Sequence, residues 1–335
     1  MSKGKHVIYG SEYSPFSIKV RSYFRYKKID HEWRPRTQDN FADFKAHAKL
    51  PLIPLILCPD GSVLQDSTPI IEKMERQYPE MSISPDDIIC NFMSVMLEEY
   101  GDEWVNKPMF HYRWWADADQ IAVSAGLAQS IMPKATDQEQ TALANQLVDR
   151  MVPRLSFVGS SAQNKQTIEA SLEDLLALLE IHLDTRPYVF GGKPSLGDFG
   201  LAGQLFGCTQ QPTTAVMIEG SPNVADWIER MLNPEDLGEW EAWADLSATL
   251  LPVIKSQIGD LYFPWAIENI KALEAEHGTF TATLKGSNFT QDTMKYTGRS
   301  LTALRSKFQK LENRGELEDV LLAANCLKPL VTESW

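Results

Sequence analysis

Apolar and polar positions in the first 80 residues alternate between strand-like and helix-like patterns. Apolar residues recur at helical spacing after Pro15, and the turn signal Pro59-Asp60-Gly61 separates two short apolar runs. The pattern predicts strands at 5–9, 30–35, 53–57 and 62–64, and helices at 15–28, 40–48 and 67–78. Because helices interleave with strands and one hairpin is tight, we expect an α/β domain with a mixed four-stranded sheet.

The pattern changes near residues 79–87, after which strands nearly vanish. Ser171 to Asp184 carries leucines on one helical face, and further helices are predicted at 90–100 and 224–231. Beyond residue 235 the pattern predicts helices at 249–258, 265–277 and 301–311, with one strand at 279–284. We therefore expect three parts: an α/β domain (1–80), an all-helical domain (88–235) and a mostly helical extension (236–335) that packs on the helical domain.

Composition narrows the functional class. The chain has 335 residues and a net charge of −13, which opposes non-specific binding to nucleic acid or anionic membranes. No apolar run approaches the ~18 residues of a membrane helix, and the first residues lack the features of a signal peptide. The four cysteines are far apart without a Cys-x-x-Cys pair, which argues against a metal site or disulfide framework and favours a cytoplasmic protein.

The segment Ser14-Pro15-Phe16-Ser17 follows the first predicted strand and begins the first predicted helix. A thioredoxin-type fold carries its redox Cys-x-x-Cys here, but a hydroxyl cannot form a mixed disulfide, so dithiol exchange is excluded. The free N–H groups and positive dipole of a helix N-terminus stabilise an anion, including the thiolate of a bound ligand. Ser14 could donate to that sulfur; the alternative is a plain N-cap.

Two further segments could contact a ligand. Ile53-Pro54 stands at the head of a predicted strand, where a cis bond would turn the backbone of Ile53 towards a peptide-like ligand. The alternative is a trans proline on an edge strand. Gln65-Asp66-Ser67 begins the third predicted helix, where a carboxylate, a hydroxyl and backbone N–H groups could hold an ammonium and a carboxylate together. The alternative is ordinary capping.

Taken together, these motifs resemble the glutathione-binding half of the cytosolic glutathione S-transferases. Farther on, the segment from Tyr188 to Phe199 resembles the part of their helical domain that contains a Ser/Thr-x-x-Asp capping box, here Ser195 and Asp198. The resemblance is good over 5–78, moderate over 171–232 and loose over 103–168, and the extension is similar only to that of some bacterial transferase-like proteins. It implies a thioredoxin-like first domain and a GST-type helical domain.

The resemblance also implies roles for individual residues. Ser14 corresponds to the serine that holds glutathione as a thiolate, Ile53 to the residue that pairs with its cysteinyl backbone, and Pro54 to the cis-proline. Gln65, Asp66 and Ser67 correspond to the segment that binds the γ-glutamyl end. Leu52 departs from the family, because serine-type classes often have Lys there; Lys49 or Arg36 could supply the missing charge.

The second substrate, an apolar electrophile, is expected between the two domains. Tyr13, Trp104 and Tyr112 are candidate contacts, together with the nearby aromatic residues Tyr100 and Phe110, although aromatic residues at helical spacing are also typical of a core. His111 and His182 are expected to be packed histidines with hydrogen-bond partners rather than catalytic bases.

The sequence therefore predicts a glutathione S-transferase-like enzyme that stabilises the glutathione thiolate and transfers it to the electrophile. A homodimer is expected from the resemblance. A non-catalytic binding or scaffold protein, or another glutathione-dependent reaction such as isomerisation or peroxide reduction, is the alternative, because fold does not fix function.

Overall fold

The structure is a computed structural model that describes residues 4–332. Residues 1–3 and 333–335, at the outer ends of the first predicted domain and of the predicted extension, lie outside the described part.

The first domain is a mixed sheet with helices, as its pattern predicts. The sheet order is β2-β1-β3-β4, with β1 parallel to β2 and antiparallel to β3, and β3 antiparallel to β4. Pro15 occupies the first turn of α1, where its missing N–H costs nothing. The elements are β1 (His6–Gly10), α1 (Pro15–Tyr26), β2 (His31–Pro35), α2 (Phe41–His47), β3 (Leu55–Leu57), β4 (Val63–Gln65) and α3 (Ser67–Gln77).

The second part is helical. A π-helical turn, Gly101–Val105, joins α4 directly to α5, and a 3₁₀ segment, Val152–Val158, follows α7. The helices are α4 (Ile88–Tyr100), α5 (Asn106–Trp115), α6 (Asp117–Ile131), α7 (Asp137–Met151), α8 (Lys165–His182), α9 (Leu196–Thr209), α10 (Pro212–Glu219) and α11 (Pro222–Leu232). Helix α9 packs between α1 and α4 and so joins the sheet domain to the helical domain.

Over the described residues 236–332, the extension contains five α-helices and one hairpin. A π-helical segment, Ile254–Tyr262, joins the first two helices, and the hairpin places Phe280, Ala282 and Leu284 on its buried face. The elements are α12 (Trp243–Val253), α13 (Phe263–Glu274), β5 (Thr279–Leu284), β6 (Ser287–Asp292), α14 (Lys295–Gln309), α15 (Gly315–Ala323) and α16 (Leu327–Val331). These elements contact α4 and α8, and Lys307 of α14 forms an ion pair with Glu72 of α3 at 2.7 Å.

The capping box at the start of α9 is present as predicted. Ser195 accepts a hydrogen bond from the Asp198 N–H, and the Asp198 carboxylate accepts in return from the Ser195 N–H and hydroxyl. The second oxygen of Asp198 accepts from Val189 N and Trp227 Nε1, both at 2.9 Å. Because this buried carboxylate has four donors, it fixes the start of the central helix.

Both packed histidines also have the partners that the sequence predicts. His111 Nδ1 lies 2.7 Å from Ser160 Oγ, and its Nε2 lies 3.3 Å from Glu169 Oε1. His182 contacts Thr249 Oγ1 and the Val189 carbonyl, each at 2.8 Å. Burial lowers the pKa of both imidazoles, which suits neutral structural groups.

Candidate functional site

The N-terminus of α1 offers a hydroxyl and a free backbone amide. Ser14 is half-buried and caps the helix, with Oγ accepting from Ser17 N at 3.3 Å. Within the described residues the Ser14 hydroxyl hydrogen has no acceptor, so Ser14 can cap the helix and donate to a ligand at once. The two interpretations of Ser14, as a helix N-cap and as a donor to a ligand, are therefore compatible in this geometry.

The loop before β3 presents its backbone to a cavity. The Ile53-Pro54 peptide bond is cis, and both residues line the cavity. Gln65 fixes the loop: its Oε1 accepts from Lys49 N and Leu50 N, and its Nε2 donates to the carbonyls of Leu50 and Leu52. Since all four contacts are internal, the Gln65 side chain shapes the cavity rather than reaching into it.

The N-terminus of α3 forms another wall of the same cavity. Asp66 has a φ of 78°, a conformation that L-residues adopt at a cost and that is found preferentially at functional positions. Ser67 is buried, and its Oγ has no hydrogen-bond partner among the described residues. A buried hydroxyl without a partner costs free energy, which a ligand that bonds to it would recover.

These segments enclose a cavity of about 410 Å³, which we call the first cavity. Lys49 is the one cation among its described lining residues, while Leu52 is 59% exposed at the place where Lys was expected. Ser14 is outside the lining, although Phe16, two residues on, belongs to it. The full lining is Phe16, Lys49, Leu50, Leu52, Ile53, Pro54, Gln65, Asp66, Ser67, Asp102, Glu103 and Tyr296.

A buried ionic network includes Asp102, which also lines the first cavity. Lys19 Nζ lies 2.6 Å from Glu98 Oε1 and 2.7 Å from Asp102 Oδ2. Although burial opposes the charged amine, the two carboxylates raise the pKa of Lys19, so it remains protonated. Burial also raises the pKa of Asp102, whose other oxygen, Oδ1, has no partner among the described residues. Lys19 thus forms ion pairs with two carboxyl groups, those of Glu98 and Asp102.

Glu103 has fewer polar partners than Asp102. Its Oε2 accepts from the Thr297 hydroxyl at 2.6 Å, and it forms no ion pair within the described part of the chain. Burial, followed by the nearby charge of Glu99, raises the pKa of Glu103 to about 8. Asp66 differs, because it is exposed to solvent; its Oδ2 accepts from the Tyr296 hydroxyl at 3.2 Å. Thr297 and Tyr296 both belong to the extension.

A second cavity of about 340 Å³ adjoins the first and shares Phe16, Asp102, Glu103 and Tyr296 with it. It extends between the helical domain and the extension. Most of its other walls are apolar or aromatic, with Asn106, Lys107 and Arg154 as polar members. The remaining lining residues are Phe110, Met151, Phe157, Val158, Trp265, Met294 and Thr297.

Lys107 is the unusual member of this second cavity. Its Nζ lies 3.8 Å from the centroid of the Trp265 ring and 3.0 Å from Gln291 Oε1. Burial lowers the pKa of the Lys107 amine to about 7, so protonated and neutral forms coexist near neutral pH. The amine also donates to the Val158 carbonyl at 3.4 Å, so two acceptors of the protein hold it in place.

Most of the aromatic residues proposed from the sequence as second-substrate contacts lie outside both cavities. Trp104 is fully buried and donates from Nε1 to Ser171 Oγ at 3.1 Å, and Tyr112 is 7% exposed. Tyr13 packs with Trp114 and Val123, with its ring against Gly126. None of these three residues lines either cavity. Trp104 and Tyr112 pack in the core, whereas Phe110, a candidate from the same stretch, is half-buried and lines the second cavity.

Sequence reasoning missed Asp102, Glu103 and Tyr296. Asp102 and Glu103 are adjacent acids that directly follow the helix predicted at 90–100, and two acids in an otherwise largely apolar stretch were a usable signal. The π-helical turn disrupts the 3.6-residue period, which hides the face that each acid occupies. Tyr296 has no local signal, because its importance depends on where the extension packs.

The fold and cavities together define a class: a thioredoxin-like domain joined to a helical domain, with a ligand cavity at their junction. The family model of the glutathione S-transferase N-terminal domain matches residues 8–82, and that of the C-terminal domain matches residues 142–230. The chain belongs to the glutathione S-transferase family. The serine-type subdivision remains a prediction, and no curated protein matches the chain.

Several solved structures are similar to the chain at low identity. Glutathione transferase GSTFuA3 from Phanerochaete chrysosporium is 15% identical with a TM-score of 0.48, covering 69% of this chain and 98% of its own. A glutathione S-transferase from Methylobacillus flagellatus KT with GSH bound is 19% identical, TM-score 0.41, covering 68% and 95%. The β-etherase LigF from Sphingobium sp. strain SYK-6 is 19% identical, TM-score 0.47, also covering 68% and 95%.

No helix in residues 4–332 is both long enough and apolar enough to span a membrane.

Proposed function

We propose that this protein is a glutathione transferase that binds glutathione in the first cavity and transfers its sulfur to an electrophile in the second. The observation that carries the proposal is the junction of the two cavities at Phe16, two residues after Ser14. One cavity offers the backbone of Ile53 and the N-terminus of α3 to a peptide, and the other offers a largely apolar volume.

Ser14 is the proposed thiolate stabiliser. A thiol with a pKa near ~8.5 is mostly protonated at neutral pH, and a hydroxyl donor at a helix N-terminus favours the charged form. The free hydroxyl hydrogen of Ser14 supports this role. The thiolate then attacks the electrophilic carbon; a carbon–sulfur bond forms, and the bond to the leaving group breaks.

The second substrate is proposed to be an apolar electrophile. Phe110, Phe157 and Trp265 provide flat apolar contacts, and Lys107 provides one hydrogen-bond donor. Removing water from such a cavity strengthens every polar contact inside it. An aromatic ring that bears a polar acceptor group, such as 1-chloro-2,4-dinitrobenzene, is therefore a suitable probe.

The test replaces Ser14 by Ala and measures conjugation of that probe. We expect kcat/KM to fall roughly 10- to 100-fold, which corresponds to a thiol pKa raised by one to two units. The thiolate absorbance of bound glutathione should titrate at correspondingly higher pH. Ser11→Ala is the matched control: its Oγ only accepts from Tyr13 N at 3.2 Å, so turnover should be unchanged.

Unchanged turnover in Ser14→Ala would remove Ser14 from the mechanism, and a loss in Ser11→Ala would transfer the role to that residue. The exposed Leu52 favours a second candidate, a non-catalytic binding or scaffold protein, because it leaves the glycyl carboxylate without the expected lysine. Calorimetry separates these readings, since no binding at millimolar glutathione would contradict the transferase proposal. The homodimer and the cytoplasmic location remain predictions, and sedimentation analysis tests the first.

A further inference from the structure

One short segment supplies the second cavity with a thioether, a cation and an aromatic ring in a row. Met151, Arg154 and Phe157 are three positions apart in the sequence, and all three line the cavity. Residues three apart lie on one side of a 3₁₀ helix, and the segment Val152–Val158 has that conformation. The spacing Met-x-x-Arg-x-x-Phe thus places a guanidinium beside an aromatic ring along one wall of the cavity.

The guanidinium of Arg154 has donors available for a ligand. Arg154 is half-buried, and its polar contact within residues 4–332 is a weak one, from Nη1 to Met151 Sδ at 3.9 Å. Arg154 forms no ion pair with a carboxylate in that part of the chain. Since a guanidinium carries five N–H groups, most of its donors face no acceptor of the protein. An anionic group of a ligand would supply the missing acceptors.

Exposed aromatic rings indicate independently that a ligand belongs in this cavity. Phe157 lines the cavity but is 60% exposed, and Tyr296, which borders both cavities, is 58% exposed. Phe110 of α5 and Trp265 of α13 extend the aromatic lining towards the interior. Aromatic rings around a concave volume are typical of a binding site, because a flat ligand removes their surfaces from water.

The charges around the second cavity favour an anion. Its lining contains four acidic or basic residues: Asp102, Glu103, Lys107 and Arg154. Burial raises the pKa of Asp102 to about 7 and that of Glu103 to about 8, so neither acid is fully ionised at neutral pH. Burial lowers the pKa of Lys107 to about 7. The guanidinium of Arg154 is therefore the group in this lining that carries a full charge at pH 7.

We propose that the second cavity is specific for aromatic electrophiles that carry an anionic group, with the ring beside Phe157 and the anionic group on Arg154. The inference rests on the proposed function, because it names the class of second substrate. The aromatic ring remains the apolar part of that substrate and contains the carbon that the thiolate attacks. The anionic group is a substituent on another carbon of the ring. Arg154 is thus a specificity-determining residue that orients the substrate and takes no part in making or breaking bonds.

The test compares two electrophiles that differ in one charge, 4-chloro-3,5-dinitrobenzoate and 4-chloro-3,5-dinitrobenzamide. Sulfur displaces chloride from the same carbon in both, and chloride leaves with the bonding electron pair. Each kcat/KM is divided by the rate constant of the uncatalysed reaction with glutathione, which removes the difference in intrinsic reactivity. We expect the wild type to prefer the benzoate by ~5- to 30-fold on this scale, because the guanidinium–carboxylate pair is only half-buried. The preference should reside in KM, since the contact forms before the reaction.

Three variants locate the source of that preference. Arg154→Gln should lower it to about twofold or less, because the positive charge is lost, while turnover of the benzamide stays within about twofold of the wild type. Arg154→Lys should retain an intermediate preference, since a point charge replaces the planar donor fork. Arg150→Gln is the matched control: it removes the same charge from an exposed residue outside the cavity lining and should leave the preference unchanged.

Equal or reversed corrected values for the two probes in the wild type would overturn the inference alone, because turnover of the benzamide would still support a transferase. A preference that survives in Arg154→Gln, or that falls as far in Arg150→Gln, would do the same. So would a wild type that conjugates 1-chloro-2,4-dinitrobenzene but not the benzoate. A wild type that conjugates none of the three electrophiles would overturn the proposed function and the inference with it.

Discussion

Asp198 and Glu103 are both carboxyl groups withdrawn from solvent, but their surroundings are opposite. Asp198 receives four hydrogen bonds, two from Ser195 and one each from Val189 and Trp227. Glu103 receives one, from Thr297, and lines two cavities. Burial raises the pKa of both. The difference indicates that a saturated carboxylate holds a fold together, whereas an undersaturated one at a cavity wall is available to a ligand.

The largest expected effect follows from removing Asp198, the carboxylate with four hydrogen bonds. Asp198→Ala should lower the free energy of unfolding by roughly 3–5 kcal/mol, because it leaves buried donors of Val189, Ser195 and Trp227 without partners. Urea unfolding measures this loss. Asp87→Ala is the matched control: Asp87 caps α4 through Ile89 N and Cys90 N, and its loss should cost about 1 kcal/mol. Equal losses in the two variants would contradict the comparison.

Glu103→Gln should show the opposite behaviour, a gain in stability that depends on pH. In the folded state the pKa of Glu103 is about 8, above its ordinary value of 4.5. Ionisation of Glu103 therefore lowers the free energy of unfolding of the wild type. The advantage of Glu103→Gln should be absent below pH ~4.5, grow to roughly 2–4 kcal/mol near pH 8 and then stay constant. Unfolding curves at a series of pH values measure it.

Glu139→Gln provides the control for the sign of that effect. Hydrogen bonds from the Thr136 backbone and side chain lower the pKa of Glu139, so ionisation of Glu139 favours the folded state. The wild type should therefore be the more stable partner above the ordinary pKa of Glu139, and that advantage should disappear as pH falls. If the Glu103→Gln difference did not change with pH, Glu103 would not be an uncompensated buried acid.

The smallest expected effect concerns the one donor that Glu103 has. Thr297→Val removes the hydroxyl that stabilises the carboxylate, so the pKa of Glu103 should rise further and stability above pH ~8 should fall by about 1 kcal/mol. The pH midpoint is obtained by comparing Thr297→Val with the double variant that also carries Glu103→Gln. Thr302→Val, exposed on the same helix, should leave the midpoint where it is in the wild type.

The first domain could be predicted from sequence because its signals are local. Alternation, the turn at Pro59-Asp60-Gly61 and Pro15 at the first turn of α1 placed every strand and helix within a few residues of its position. The capping box at Ser195 and Asp198 is local in the same way. Each of these features depends on residues a few positions apart, so one stretch of chain contains all the information.

The cavity walls could be predicted only in part. Ile53, Pro54, Asp66 and Ser67 line the first cavity, as the motifs suggested, and Gln65 is turned inward to hold a loop. The contribution of the extension depends on tertiary packing, which no local pattern encodes. Trp104 and Tyr112 lie in the core and Phe110 lines the second cavity, because spacing identifies a helical face without saying whether core or cavity lies beside it.

The hydrogen bond between Tyr296 and Asp66 joins residues 230 positions apart. During synthesis the N-terminal segment leaves the ribosome first and can form its sheet while the rest of the chain is still being made. The wall that contains Tyr296 arrives only after a further 230 residues beyond Asp66 have been translated. A nascent chain can therefore have a folded first domain long before its cavity is closed, and the two events occur at separate times in the life of each molecule.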